Sequence, residues 1–233
     1  MIKKLVDLLE QKMALIVSVP SNSLPLIQAA VEGGADAIKI HFNVEHRASG
    51  MTFGKPEQYA GLAEEIARIF PGPIGCVPGD SSEKVTKETI DRLVGYGFDF
   101  VSLYAHHAPA WICTERRIST MVAVSGDYTE REAASFRTLP IDVLEASIVP
   151  GTEYGTPLTV RDLLAYRGLV EASGKPVVVP SQRRITVDDL EALQLTGMRG
   201  VMIGAIVTGT EASSIYETTK HFRRAMDALN GNG

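Results

Sequence analysis

Long apolar runs are missing from this chain of 233 residues. Nowhere do about 18 apolar residues follow one another, which excludes a membrane-spanning helix of the usual kind. The N-terminus lacks the apolar core of a secretory signal, because Asp7 and Glu10 interrupt Leu5, Leu8 and Leu9. It reads instead as a short amphipathic helix. Cysteine is scarce. Cys76 and Cys113 stand in different units with no paired-motif spacing, so a reduced cytoplasmic protein without a structural disulfide is expected. A basic excess is absent too. The 23 Lys and Arg against 28 Asp and Glu leave a net charge of -5, which argues against nucleic acid or an anionic membrane as partner. A local basic pocket for an anion stays compatible with that balance.

Two motifs are also lacking. Val19-Pro20-Ser21-Asn22 follows the first apolar run where a dinucleotide-binding fold needs a glycine-rich turn. His41, His46, His106, His107, Asp80 and Glu145 have metal-ligating chemistry, yet no fixed ligand motif such as H-x-x-x-H occurs. Adjacent residues of an extended segment point to opposite sides, so at most one of His106 and His107 is expected to face a site. Neither a metal nor another cofactor is expected.

What remains is ordinary for a globular protein, with 45% hydrophobic and 22% charged residues. The length suits one domain over residues 1–233. Apolar runs rich in Val and Ile predict strands at 13–19, 36–42, 73–77, 98–104, 118–124, 141–148, 177–179 and 201–203. Helical patterns are read at 23–32, 56–70, 82–95, 128–137, 159–172, from 186, and at 211–229. Residues 106–117 leave room for a short helix only. A weak internal echo recurs: Gly34-Ala35-Asp36-Ala37-Ile38, Gly97-Phe98-Asp99-Phe100-Val101 and Gly197-Met198-Arg199-Gly200-Val201 each join a helix-stop glycine to a buried strand. Alternation of strands and helices predicts a parallel sheet, and eight repeats predict a single (β/α)₈ barrel, or TIM barrel, with a short N-terminal helix.

Strands covered on both faces should be almost wholly apolar, so polar residues inside them are informative. Lys39 and His41 share a parity in the second strand, and Glu145 and Ser147 share one in the sixth. A lysine facing the outer helices would be buried without a partner. Both pairs therefore point into the barrel near its catalytic end, and Lys39 and Glu145 come from alternate strands that share a layer. Lys39, Glu145, His41 and Asp80 are the catalytic candidates. The chemistry they suggest is acid–base or Schiff-base catalysis. The plainer alternative is a buried ion pair that fills the barrel mouth. Ser18, Asn43, Arg47, Tyr104 and Ser147 are candidate substrate contacts. Asn43 and Arg47 belong to a polar loop of residues 43–54, longer than barrels usually need. Asp80 equally suits the cap of the following helix.

The last two units bear on phosphate. Ser181, Gln182 and Arg183 follow the seventh strand and carry hydroxyl, amide and guanidinium donors. Gly204 and Ala205 follow the eighth, where backbone N–H groups can approach an anion closely. The alternative for Arg183 and Arg184 is pairing with surface carboxylates such as Asp188.

Lys175-Pro176-Val177, Arg183-Arg184-Ile185-Thr186, Gly197 and the run from Val201 to Thr208 resemble the ribulose-phosphate-binding group of TIM barrels. Within it this last quarter of the chain is most similar to N-acetylmannosamine-6-phosphate epimerases. Thr218 to Phe222 resembles the final helix of that family. The family's lysine after the third strand is replaced here by Val77-Pro78-Gly79-Asp80, and its glutamate at the end of the seventh strand by Pro180. A fainter likeness to ribulose-phosphate 3-epimerases runs through His41-Phe42 and Met51-Thr52-Phe53-Gly54. Lys39 and Ile40 stand where those enzymes carry a metal-binding aspartate. The resemblance implies a phosphorylated small-molecule substrate and isomerase or epimerase chemistry, and by analogy a homo-oligomer. The rivals are a Schiff-base aldolase or lyase using Lys39, and a non-catalytic barrel that binds a phosphorylated ligand.

Overall fold

The computed structural model describes residues 3–46 and 50–231. Eight parallel strands close into a barrel: β1 (Ala14–Ser18), β2 (Ala37–His41), β5 (Ile74–Val77), β6 (Phe100–Tyr104), β7 (Ser119–Val124), β8 (Val143–Ala146), β9 (Val177–Pro180) and β10 (Gly200–Ile203). They pair in the order β1-β10-β9-β8-β7-β6-β5-β2, with β2 returning to β1. Helices α2 (Leu24–Glu32), α3 (Ala60–Ile69), α4 (Lys87–Gly95), α5 (Glu130–Ser135), α6 (Val160–Ser173), α7 (Leu190–Leu195) and α9 (Ala212–Asn230) alternate with the strands. Between β6 and β7 only a 3₁₀ turn, Ala110–Thr114, occupies the helix position. Trp111 and Cys113 pack there against the outer core. Both cysteines are free thiols.

Two hydrophobic cores follow from strand parity. Odd residues of β1 and even residues of β2 pack outward against the helices, as Leu15, Val17, Ile38 and Ile40 do. The other parity fills the barrel with Ala14, Ile16, Ala37, Phe100, Met121, Val143, Val178 and Met202. Phe100 fits because β5 offers Gly75 beside it: a Cβ there would lie 2.1 Å from the ring. Helix α1 (Lys4–Gln11) closes the amino-terminal end by burying Leu5 and Leu9 in the same inner cluster.

That end explains the sequence echo. Asp36, Asp99 and Asp142 each precede a strand by one residue, and each accepts a backbone N–H of a neighbouring strand, from Leu15, Ile74 and Thr120 at 2.9, 3.0 and 2.9 Å. Lys12, Lys4 and Lys3 pair with the same carboxylates at 2.5, 3.3 and 2.5 Å, which ties α1 to the barrel. Arg199 takes the aspartate's place in the last unit and donates to the carbonyls of Leu9 and Glu10. Gly34, Gly97 and Gly197 adopt φ of 97°, 86° and 82°, the left-handed turn that glycine enters without a Cβ clash.

Two elements depart from expectation. The loop after β2 contains an antiparallel hairpin, β3 (Val44–His46) with β4 (Met51–Phe53). Asn43 opens it at φ 52°. The residues after Gly204 form a one-turn helix, α8 (Ala205–Thr208), too short for a periodic signal. Among the described residues, no helix is long and apolar enough to cross a membrane.

Candidate functional site at the carboxyl end of the barrel

A cavity of about 600 Å³ opens at the carboxyl ends of the strands. At its centre β2 and β8 bring Lys39 and Glu145 together. Lys39 Nζ lies 3.1 Å from Glu145 Oε2, and both residues are buried, with 5% and 6% exposure. Ser102 Oγ donates to the same oxygen at 2.7 Å, and Ser147 Oγ donates to Oε1 at 2.8 Å. Burial pushes the Glu145 carboxyl up, but Lys39, Ser102 and Ser147 together hold it below its ordinary value. Oε2 thus serves two donors and Oε1 one, which leaves Oε1 a lone pair for a further proton.

Tyr104, Ala123 and Glu145 stand at one level, because Tyr104 pairs with Ala123 and Ala123 with Glu145 in the strand register. The small Ala123 leaves the phenol and the carboxylate to face the same space. Burial, then the charge of Glu145, raises the Tyr104 pKa, so its hydroxyl keeps its proton at neutral pH. His106 stacks on Tyr104, with ring centroids 5.3 Å apart.

Most sequence-derived candidates meet at this cavity. Ser18, Lys39, His41, Asp80, Tyr104, Glu145, Ser147, Ser181, Gln182, Gly204 and Ala205 all line it. His41 lies under the hairpin, its ring 4.9 Å from Phe53. Its backbone is clamped by Asn22, which accepts from His41 N and donates to His41 O. Asp80 sits at the rim, bound to Lys84 Nζ at 2.6 Å and accepting from Glu45 N at 3.4 Å. It caps no helix; Thr86 caps α4 by accepting from Thr89 N. Burial raises the Asp80 carboxyl, while Lys84 and the Glu45 amide more than offset that and lower it. Arg47 lies outside the described residues.

Three expectations need correction. Asn43 does not line the cavity, since its amide donates to Pro78 O at 3.0 Å and starts the hairpin. Arg183 does not line it either. Its guanidinium binds Asp162 at 2.9 Å, Glu153 at 2.6 Å and Thr156 Oγ1 at 2.5 Å. Asp188 is not its partner. Arg183 fastens the loop after β8 to the loop after β9, and its guanidinium is not part of the cavity wall. His106 and His107 both line the cavity, because the segment after β6 is a turn rather than an extended strand.

The expected phosphate site, between the loops after β9 and β10, is made of backbone and small polar groups. Gly204 N donates to Ser181 Oγ at 2.9 Å. The amides of Ala205 and Ile206 precede the first intrahelical bonds of α8, which Val207 and Thr208 make to Gly204 O. Gln182 is fixed: its Oε1 accepts from Val149 N at 3.0 Å, so Nε2 donates to the Tyr154 hydroxyl at 2.6 Å. Tyr154 lines the cavity and carries no periodic signal in its glycine-rich loop. Among the described residues, no group of three or more His, Cys, Asp and Glu could hold a metal ion.

No protein-family model matches this chain, and no curated protein matches it. Solved structures do. A thiamine phosphate pyrophosphorylase from Pyrococcus furiosus aligns with a TM-score of 0.65 at 19% identity, over 95% of this chain and 98% of that one. A mutant tryptophan synthase alpha-subunit from the same hyperthermophile gives 0.71 at 13% identity, over 92% and 99%. Phosphoribosylanthranilate isomerase from Thermotoga maritima, as monomers of a dimeric enzyme, gives 0.61 at 18% identity, over 93% and 100%. At these identities the shared property is the TIM-barrel fold. The likeness to N-acetylmannosamine-6-phosphate epimerases gains nothing from them.

Proposed function

We propose that this barrel is an enzyme that moves a proton on a phosphorylated small molecule, as a sugar-phosphate isomerase or epimerase does. The observation that carries the reading is the Lys39–Glu145 pair, buried at the catalytic end of the barrel with Ser102 and Ser147 on the carboxylate. In this reading Glu145 Oε1 accepts a proton from carbon, and the Lys39 ammonium stabilises the oxyanion that develops beside it. Tyr104, at the same level, is placed to donate to a substrate oxygen. The phosphate rests on the Ala205 and Ile206 amides beside Ser181. Proteins of this fold whose names carry phosphorylated compounds support that end of the reading by analogy only.

The second reading is a Schiff base on Lys39: the amine condenses with a substrate carbonyl, water leaves, and the protonated iminium keeps a positive charge beside the buried Glu145 carboxylate. Borohydride with a carbonyl substrate separates the two, since only the lyase reading yields a covalent adduct on Lys39.

Thermal unfolding against phosphate, sulfate and a panel of sugar phosphates tests the phosphate end. A ligand of the native state at a hundredfold excess over its dissociation constant stabilises by about 2.7 kcal/mol. The expected result is an upward shift with at least one sugar phosphate. Uniform absence of a shift would remove the phosphate from the proposal.

A further inference from the structure

Helix α6 is apolar on both faces. Its inner face buries Tyr166 and Leu169 against the outer core. Its outer face leaves Val160 and Leu164 exposed at 71% and 66%, and Leu195 beside it at 75%. These are the three most exposed of the large apolar residues among those described; the next is Met51 at 47%. Arg167 joins them by donating to Leu195 O at 3.2 Å. Exposed apolar residues grouped on one face and rimmed by Arg161, Arg167 and Glu171 suit an interface.

We infer that a second copy of this chain covers this face, through an antiparallel pair of α6 helices related by a two-fold axis level with position 166. About that point the outer face is complementary to itself rather than palindromic. Arg161, Leu164, Gly168 and Glu171 follow the 3-4-3 spacing of a helix–helix seam. Under the two-fold, Leu164 meets Gly168 of the second copy, and Arg161 meets its Glu171, which also pairs with Arg167 of its own helix at 2.6 Å. Gly168 has open space where a Cβ would stand, a gap that suits the leucine. Each contact occurs twice, as an isologous interface requires. A parallel pairing about the same seam would set Arg161 on Arg161 and Glu171 on Glu171, so the charges select the antiparallel arrangement.

Sedimentation of the full chain across a concentration series tests this. Wild type is expected to be dimeric, and Leu164→Glu monomeric with unchanged far-ultraviolet dichroism. Arg161→Glu replaces two attractions with two repulsions and should raise the dissociation constant about tenfold. Adding Glu171→Arg in the same chain should restore it. A monomeric wild type would overturn the inference and leave the face to a different protein. So would a dimer that survives Leu164→Glu, or a double charge swap that does not restore association. None of these residues lines the cavity, so the outcome is independent of the proposed reaction.

Discussion

Glu145 accepts from three donors, and two consequences follow for its titration and its role. Its folded pKa lies below the unfolded value of 4.5, so the pair adds stability above pH 4.5 and loses it as the pH falls through the lower folded value. Chemical denaturation at a series of pH values should show this loss in wild type. Glu145→Gln, which cannot titrate, should flatten that part of the curve. The second consequence separates catalysis from packing. Removing one partner of a buried ion pair costs about 3–5 kcal/mol, whereas replacing both with apolar groups is often neutral or stabilising by about 1–4 kcal/mol. The double variant Lys39→Met with Glu145→Leu should therefore unfold at or above the wild-type denaturant midpoint, with turnover abolished. Turnover near the wild-type level in that variant would make the pair a filler of the barrel mouth. At this scale strand parity was readable: Lys39 and His41, and Glu145 and Ser147, stood out because a strand buried on both faces has little use for polar residues. Ser102 stood out in the same way in its strand, whereas Tyr154 and the clamp of Asn22 on His41 did not, because each acts through a partner distant in sequence.

At the scale of elements, the loops after β8 and β9 behave as one unit. Gly155 N donates to Gln182 O, Arg184 N donates to Thr156 O, and Arg183 joins Asp162, Glu153 and Thr156. Arg183→Ala would leave Asp162, with 7% exposure, without its guanidinium partner. The expected cost is about 3 kcal/mol in denaturant unfolding. Affinity for inorganic phosphate should be retained, since the guanidinium points away from the cavity. Loss of phosphate affinity without loss of stability would restore Arg183 to the phosphate site. The sequence placed Arg183 in the loop after β9 but could not say which way it turns, because its partners Asp162, Thr156 and Glu153 come from the preceding loop and helix and loops have no period. The same reason hid hairpin β3–β4. Its base is closed by Asn43 N donating to Gly54 O and it packs on the barrel mouth through Phe53 on His41, while its composition is that of a polar loop. Barrel strands and long helices were legible because burial on both faces, or on one stripe, dictates their residues.

For the molecule as a whole, the two ends of the barrel divide the work. Apolar side chains and the α1 plug fill the amino-terminal end, where lysines of the N-terminal segment hold Asp36, Asp99 and Asp142. The carboxyl end keeps a polar cavity in which Lys39 and Glu145 are the central charges. Alternation of strand and helix was enough to read the barrel from the sequence. The proposed reaction moves one proton, and hydrogen exchange at carbon measures it directly. The protein would be incubated in deuterium oxide with each sugar phosphate that raises its unfolding temperature, and loss of carbon-bound proton signals followed by NMR. Exchange is expected with wild type, with a fall of about a hundredfold or more in Glu145→Gln. Exchange that proceeds equally in the variant, or none with any stabilising ligand, would contradict the proposed reaction.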